Sequence, residues 1–102
     1  MEQPDYYSIL SADVRYDKNL SANEKILYSD ITALSQYDGY CTPTNAYFAE
    51  LYNVDNRSVS RWLSNLNKYG YIEIKIIYAK DTKQIIRRQI KDNLWFHKHL
   101  KK

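Results

Sequence analysis

Glycine is scarce in this chain of 102 residues, where only Gly39 and Gly70 are present. Loops that cradle phosphate groups need several closely spaced glycines, so P-loop NTPases, protein kinases and dinucleotide-binding folds are excluded. Long apolar runs are missing too, which excludes a membrane-spanning helix. Residues 1–5 are acidic and contain no apolar stretch, so they are not a signal peptide. A single cysteine, Cys41, cannot form an internal disulfide, which is typical of a protein of the reducing cytoplasm.

Charge is divided unevenly along the chain, although its net value of +3 is small. Residues 1–55 carry a net charge of −6, and residues 56–102 carry +9. A change of sign within a chain of single-domain length suggests a basic working surface on an acidic body. The alternative is that both halves present ordinary solvated charged faces, and composition does not decide between the two.

The first predicted helix has a clear start after a β-prone run at residues 6–10. Ser21 and Glu24 have the spacing of a capping box. Asp30 lies inside the apolar sector, where we expect a half-buried carboxylate paired with a cation or a tyrosine hydroxyl. A turn at 36–39 ends this helix, and a short extended segment follows at 40–41. Four apolar residues at helical spacing predict the buried face: Ile26, Leu27, Ile31 and Leu34.

Two further helices and a hairpin are predicted next. Thr44 is placed to cap a helix over 45–52, and Asp55 to cap one that ends near residue 69, before Gly70. Residues 72–76 alternate as a half-buried strand does, and a polar turn at 79–83 leads to a second strand over 84–90. The predicted organisation is an N-terminal arm or short strand over 1–20, a folded domain over 21–90 and a basic tail over 91–102.

Residues 45–65 resemble a helix-turn-helix motif. Ala49 supplies the small residue that the first helix needs, and Asn53 replaces the usual glycine in the turn, where the backbone is left-handed. The order of helix, short strand, two helices and hairpin is that of a winged helix. We therefore expect an α+β, mainly α fold with three helices and the hairpin as its wing. Apolar side chains occupy the five packing positions of the motif: Phe48, Tyr52, Val54, Val59 and Trp62.

The last predicted helix has two different faces. Arginine bonds guanine bidentately and serine hydroxyls serve bases or phosphates, so the polar face predicts a recognition helix that binds double-stranded DNA. The alternative is an ordinary solvated face. One face is apolar: Val59, Trp62, Leu63, Leu66 and Tyr69. The opposite face has donors and hydroxyls but no acid: Arg57, Ser60, Arg61, Ser64 and Lys68, of which the lysine is expected to touch the DNA backbone. Asn56 and Ser58 complete the predicted contacts of this helix.

Residues on both sides of this helix extend the predicted DNA-binding surface. Thr44 and Asn45 begin the preceding helix, where free N–H groups and the helix dipole favour a phosphate. The predicted wing adds four basic residues, two on its turn and two on its return strand: Lys80, Lys83, Arg87 and Arg88. The two adjacent arginines face opposite sides of the strand, so we expect Arg87 to serve DNA and the other to pair with an acid on the body.

The sequence LSANEKILYSDITALSQYDGYCTPTNAYFAELYNVDNRSVSRWLSNLNKYGYIEI, residues 20–74, resembles the N-terminal domain of replication initiator (replisome organiser) proteins of Gram-positive phages and plasmids. With the preceding run YYSILSADVRYDKNLS, the resemblance covers about residues 6–90. It implies that the domain binds repeated double-stranded DNA sites at an origin, whereas a larger C-terminal domain recruits the helicase-loading machinery. The chain stops at Lys102 without that second domain, so we expect either an excised fragment or a short relative with another use. The resemblance carries over six residues together with the wing lysines: Thr44, Asn45, Arg57, Ser58, Ser60 and Arg61.

The sequence favours no enzyme, metal site or cofactor. The run His97-Lys98-His99 differs from the motif of rolling-circle nickases, which needs an apolar residue between the histidines and a third metal ligand. Cys41 has no zinc-ligand spacing with these histidines, and we expect it to be a small buried residue.

Protein binding is the other hypothesis that the sequence leaves open. The acidic half would dock a basic partner or mimic DNA toward a host nucleic-acid-handling enzyme, and a stand-alone protein of a mobile element would also suit transcriptional regulation. The run Leu94, Trp95 and Phe96 is either a homodimer contact or a lid on the first helix. A homodimer and a replication or host protein partner are therefore open alternatives beside double-stranded DNA.

Overall fold

The computed structural model describes residues 5–93, and within them four helices precede one antiparallel two-stranded sheet. The helices are α1 (Ala12–Arg15), α2 (Ala22–Leu34), α3 (Asn45–Tyr52) and α4 (Asn56–Lys68), and the strands are β1 (Ile72–Tyr78) and β2 (Ile85–Asp92). This mainly helical arrangement confirms the predicted winged helix-turn-helix. The apolar run at 94–96, the histidines at 97 and 99 and the tail from residue 94 onwards lie outside the described residues.

Side-chain caps start the three longer helices at the predicted residues. The Ser21 hydroxyl accepts from the Glu24 N–H at 3.2 Å, and the Glu24 carboxylate accepts from the Ser21 N–H at 2.8 Å, so the capping box is complete. Thr44 and Asp55 cap α3 and α4 through one bond each: the Thr44 hydroxyl accepts from the Tyr47 N–H at 3.2 Å, and the Asp55 carboxylate accepts from the Ser58 N–H at 2.8 Å. Because one such cap contributes about 1 kcal/mol, these polar residues determine where each helix begins.

The segment before α2 forms a short helix rather than a strand. Residues 5–11 belong to no regular element, and α1 follows with its Val14 side chain fully buried. The strand alternative for the β-prone run at 6–10 is therefore wrong, because β propensity forms a strand only beside a partner edge.

One hydrophobic core lies between the helices and the base of the hairpin. The predicted buried face of α2 is right for Leu27 and Ile31, and Leu34 packs at the edge of the core. The prediction is wrong for Ile26, because this side chain is 50% exposed. Glu24 and Tyr28 lie on the buried flank of α2, and helical spacing places Ile26 on the other flank, towards solvent. The core draws on α1 to α4, both strands and the connecting segments: Val14, Leu20, Leu27, Tyr28, Ile31, Cys41, Phe48, Ala49, Val59, Trp62, Leu63, Leu66, Ile72 and Ile90.

The hairpin reaches the core only at its base. Ile74 lies opposite Ile90 in the ladder, and a bulge at Ile77 and Tyr78 shifts the register near the tip. Ile72 and Ile90 are buried, but Ile74 is exposed. The alternation predicted for residues 72–76 therefore fails at Ile74, although Ile76, nearer the tip on the same face, is half-buried.

The C-terminal end of β2, at the base of the hairpin, is attached to the rest of the domain at two residues, Ile90 and Asp92. The N–H groups of Cys41 and Ile90 each donate to the carbonyl of the other at 2.8 Å, which confirms the extended segment at 40–41 and the buried cysteine. Asp92 is buried and accepts from the Tyr28 hydroxyl and, at 2.6 Å, from the Thr32 hydroxyl. The second strand, predicted over 84–90, runs over Ile85–Asp92, because these partners of Asp92, distant in sequence, hold the chain beyond residue 90.

Two more tyrosine hydroxyls join distant parts of the chain through carboxylates. Tyr52 of α3 donates to Asp30 of α2, which confirms the tyrosine partner predicted for that half-buried acid. Tyr71 donates to Asp17, and this bond holds the pKa of the Asp17 carboxyl below its usual value. Tyrosine–carboxylate bonds therefore connect α2, α3, the hairpin and the segment before α2.

Raising the pH above 10 is expected to destabilise the fold. Burial, and then the neighbouring carboxylates, raise the folded-state pKa of Tyr28 and Tyr52 above the usual 10.0, and burial raises the pKa of the Cys41 thiol to about 12. The unfolded chain thus loses these protons first, so their stabilisation is complete below the unfolded pKa values and falls as pH rises above them. Each group lowers the free energy of unfolding by up to about 1.4 kcal/mol per pH unit. Urea unfolding at pH 7 to 11, followed by circular dichroism, measures this slope.

Matched tyrosine variants serve as the control for that slope. Tyr28→Phe removes a donor from the buried Asp92 and should cost about 1–3 kcal/mol at pH 7 while reducing the alkaline slope. Tyr37, which is 99% exposed, should tolerate the same change with no effect on either quantity. Identical slopes in the wild type and in both variants would contradict the role given to the tyrosine hydroxyls.

Candidate nucleic-acid interface

α3, the turn and α4 have the predicted helix-turn-helix geometry. Asn53 adopts the left-handed conformation, with φ 56° and ψ 51°, and the Val54 N–H donates to the Ala49 carbonyl at 2.9 Å. Ala49 is buried, as the motif requires. Asparagine therefore performs the role of the usual glycine in this turn. The predicted packing positions are all buried or half-buried: Phe48, Tyr52, Val54, Val59 and Trp62.

The outward face of α4 presents the predicted polar residues to solvent. The prediction that Tyr69 belongs to the apolar face is wrong, because the helix ends at Lys68. Tyr69 is 41% exposed, and Lys68 Nζ lies 5.4 Å from its ring centroid. No acid occurs within α4. The exposed set contains six of the predicted DNA-binding residues: Asn56, Arg57, Ser60, Arg61, Ser64 and Lys68.

Ser58 differs from those six because it is half-buried and faces the helix cap. Its backbone N–H donates to Asp55 Oδ1 at 2.8 Å. Hydrogen bonding from Ser58, with a smaller contribution from Arg61, lowers the pKa of the Asp55 carboxyl. Sequence reasoning assigned Asp55 a capping role alone and missed that it is an exposed charge beside the polar face.

The tip of the hairpin carries the two predicted wing lysines. Lys80 and Lys83 are exposed on the turn, where Asp81 has a φ of 60°. The Ala79 N–H closes this turn by donating to the Gln84 carbonyl at 2.8 Å. Both lysines are thus displayed at the end of the sheet that lies farthest from the core.

The adjacent arginines of β2 face opposite sides, as the pleat requires. Arg87 is exposed, whereas Arg88 is half-buried and donates to Asn45 Oδ1 at 2.6 Å and to the Pro43 carbonyl at 2.8 Å. The prediction that the second arginine pairs with an acid is therefore wrong. Arg88 shares the inward face with Ile90, and this face meets the start of α3, where neutral oxygens satisfy the guanidinium. Burial lowers the pKa of Arg88 from its usual value.

A groove of about 630 Å³ lies between the start of α3 and the wing. It brings together three predicted contacts, Thr44, Asn45 and Arg87, and none of its described lining residues is acidic. The sequence pattern missed its apolar wall, formed by Ile85 and Ile86, which are 59% and 58% exposed. The only feature of the sequence that could have indicated this wall is the pair of adjacent isoleucines at the start of the second predicted strand. The complete lining is Thr42, Thr44, Asn45, Ile76, Ile85, Ile86, Arg87 and Arg88.

Metal-ligand clusters and membrane-spanning helices are both missing from the part of the chain that the structure describes. Between residues 5 and 93, no cluster of three or more His, Cys, Asp or Glu side chains is placed to hold a metal ion. None of the helices in that range has the length and apolar character that crossing a membrane requires.

Replacing Arg88 is expected to destabilise the protein far more than replacing Arg87. Arg88→Met removes the donors to Asn45 Oδ1 and the Pro43 carbonyl, which should cost about 1.5–3 kcal/mol. Arg87→Met, the same substitution on the exposed side of the strand, should stay within about 0.5 kcal/mol. Denaturant unfolding of both variants provides the measurement, and equal losses would show that Arg88 does not brace the wing.

Comparison with known proteins agrees with this geometry. The family model described as a helix-turn-helix domain matches residues 18–72, which include α2, α3, α4 and the start of β1. Searches of the curated proteins and of the solved structures gave no significant match. Domains of this kind bind DNA through the second helix of the motif. Because the matched segment covers more than half of the chain, the protein belongs to the helix-turn-helix domain family.

Proposed function

We propose that this protein binds specific sequences in double-stranded DNA, with α4 lying in the major groove. The observation that supports this best is the outward face of α4, which presents arginines and hydroxyls and has no acid. Arg57 and Arg61 would read base edges, because a guanidinium group matches the two acceptors of guanine. Ser60 and Ser64 assist these contacts, and Lys68 touches the DNA backbone.

Contacts to phosphates would position the domain on the duplex. Thr44 and Asn45 offer the N–H groups at the start of α3, and the Asn45 contact runs through its backbone because its side-chain oxygen accepts from Arg88. Lys80, Lys83 and Arg87 on the wing grip an adjacent phosphate or minor groove. Ser58 acts indirectly, through the cap of α4.

The proposed biological role is recognition of repeated origin sites when replication of a phage or plasmid begins. The likeness of residues 20–74 to replication initiator domains supports this role, since the fold itself serves transcription equally well. The proposal implies a cytoplasmic, non-enzymatic protein that needs no cofactor. A homodimer would suit a site with two half-sites, and a replication protein is the expected further partner.

A protein-docking role is the second candidate, and one surface favours it. Residues 1–55 carry a net charge of −6, and Tyr7, Ile9 and Tyr16 near the N-terminus are largely exposed. Such a surface suits a basic host enzyme that handles nucleic acid. Selection of binding sites from random duplex DNA separates the candidates: enrichment of a repeated motif supports origin recognition, and no enrichment supports docking.

Arg57→Ala and Arg61→Ala are each expected to weaken binding to the selected site by about 1–3 kcal/mol and to relax its sequence preference. The reason is that each change removes two donors from a base edge. Fluorescence anisotropy on the selected duplex and on a random duplex gives both affinities. Arg15→Ala, an exposed arginine on α1, is the control that should leave them unchanged. Equal losses on both duplexes would contradict the base-reading role.

Affinity is expected to fall steeply with salt, because phosphate contacts release counterions. Lys80→Ala and Lys83→Ala should each reduce the slope of log affinity against log salt by about 1, with little change in sequence preference. Titrations from 50 to 200 mM salt, in the range where this release is ordinarily measured, give the slope. A flat response in the wild type would favour the protein-docking role.

A further inference from the structure

Large apolar side chains are exposed at the last rung of the hairpin, next to its turn. Tyr78 and Ile85 lie opposite each other in the ladder, Ile86 follows directly, and all three are more than half exposed. Among the described residues, neither isoleucine packs against the hydrophobic core. Threonine favours strands as isoleucine does, so β propensity alone does not require an apolar side chain at these positions. The two isoleucines are therefore available to a ligand.

An irregularity of the ladder coincides with this apolar pair. Arg87 and Ile85 have successive partners on β1, whereas Ile86 between them has none. A bulge of this kind bends its strand and redirects the side chains beside it. Ile85 and Ile86 both line the groove between the wing and the start of α3. The apolar wall of that groove is thus built from consecutive residues at the irregular point of the strand.

Cations surround the apolar pair. Lys80 and Lys83 are exposed on the adjoining turn, and Arg87 is exposed next to Ile86. Asp81 is the only acid between residues 78 and 91. A cationic rim of this kind attracts a polyanion. The opposite wall of the groove begins α3 and carries the N–H groups proposed above for phosphates. Charge therefore identifies the occupant of this surface as DNA.

Double-stranded DNA can bury such side chains in one place. Proteins that bind the minor groove insert isoleucine and other apolar residues between base steps, which unstacks the step and kinks the duplex. A wedge must be held firmly, because a hairpin that yielded would leave the DNA straight. Arg88 supplies that support through its bonds to Asn45 Oδ1 and the Pro43 carbonyl, and Ile90 through its pairing with Cys41.

We propose that Ile85 and Ile86 form an apolar wedge that enters the minor groove, opens one base step and bends the bound duplex. This inference rests on the proposed function and adds deformation of the DNA to it. Lys80 and Lys83 hold the adjoining phosphates while the isoleucines contact the bases. Pyrimidine–purine steps unstack most easily, so the selected site should contain a TA or CA/TG step outside the bases that α4 reads.

The test compares the wild type with the double variant Ile85→Thr/Ile86→Thr on the selected duplex. Threonine keeps the branched Cβ and the strand preference, and both positions are exposed, so the Tm should be unchanged. Energy transfer between dyes at the two ends of the duplex should report a bend of about 20–90° with the wild type. The double variant should lose most of that bend. A fluorescent adenine analogue in the opened step should brighten with the wild type only, because its emission rises on unstacking.

Ile26→Thr is the matched control, since it makes the same change at an exposed isoleucine of α2 and should keep the full bend. If the wild type enriches a sequence but leaves that duplex straight, the wedge is overturned and the proposed function stands. Equal bends with the wild type and the double variant would assign the bending to another surface and overturn the wedge. A straight duplex, together with self-association that the double variant abolishes in sedimentation, would make the isoleucines a contact between copies. If the wild type enriches no sequence, the proposed function fails and this inference fails with it.

Discussion

The attachment of β2 to the helical body is the constraint on which the rest of the structure depends. Asp92 is buried at one end of this strand, and a buried carboxylate is tolerated only with strong donors, here the hydroxyls of Tyr28 and Thr32. Ile90 pairs with Cys41, and Arg88 bonds the segment that leads into α3. Three alternate residues of one strand face are thus attached in succession. The hairpin is therefore fixed relative to α3, and the groove between the wing and the start of α3 has a defined width.

This attachment also determines which side chains the wing offers to a ligand. Because side chains alternate along a strand, fixing Arg88, Ile90 and Asp92 inwards directs Arg87 outwards. A slip of one residue would exchange the two arginines, leaving Arg87 inside and Arg88 outside. The irregular register at Ile77 and Tyr78 lies beyond the last attached residue, where the strand no longer has to match the body. The register is therefore regular at the attached base of the hairpin, and its irregularity is confined to the tip.

Local chemistry made much of this fold predictable from the sequence. The caps at Ser21, Thr44 and Asp55 and the left-handed turn at Asn53 depend on a few neighbouring residues, and the two faces of α4 follow from helical spacing. The errors arose where a partner distant in sequence decides the outcome. The sequence places Asp92 in a polar tail, but in the structure it is buried and accepts from the Tyr28 hydroxyl. The sequence also predicts a buried Ile26, whereas Tyr28 is the buried side chain and Ile26 is exposed. The inward arginine was predicted to need an acid, but the fold supplies amide and carbonyl oxygens instead.

The acidic half of the chain can now be interpreted through the bonds of its carboxylates. Asp17 accepts from Tyr71, Asp30 from Tyr52, and Glu24 from the Ser21 N–H and, at 2.7 Å, from Asn65 of α4. These acids organise the fold, so the net charge of −6 in residues 1–55 overstates the negative surface available for docking a basic protein. Asp55 is the last of them, at the boundary where the sign of the charge changes, and its carboxylate is both a cap and an exposed charge. The division of charge therefore separates acids that organise the helical body from the basic residues of α4 and the hairpin.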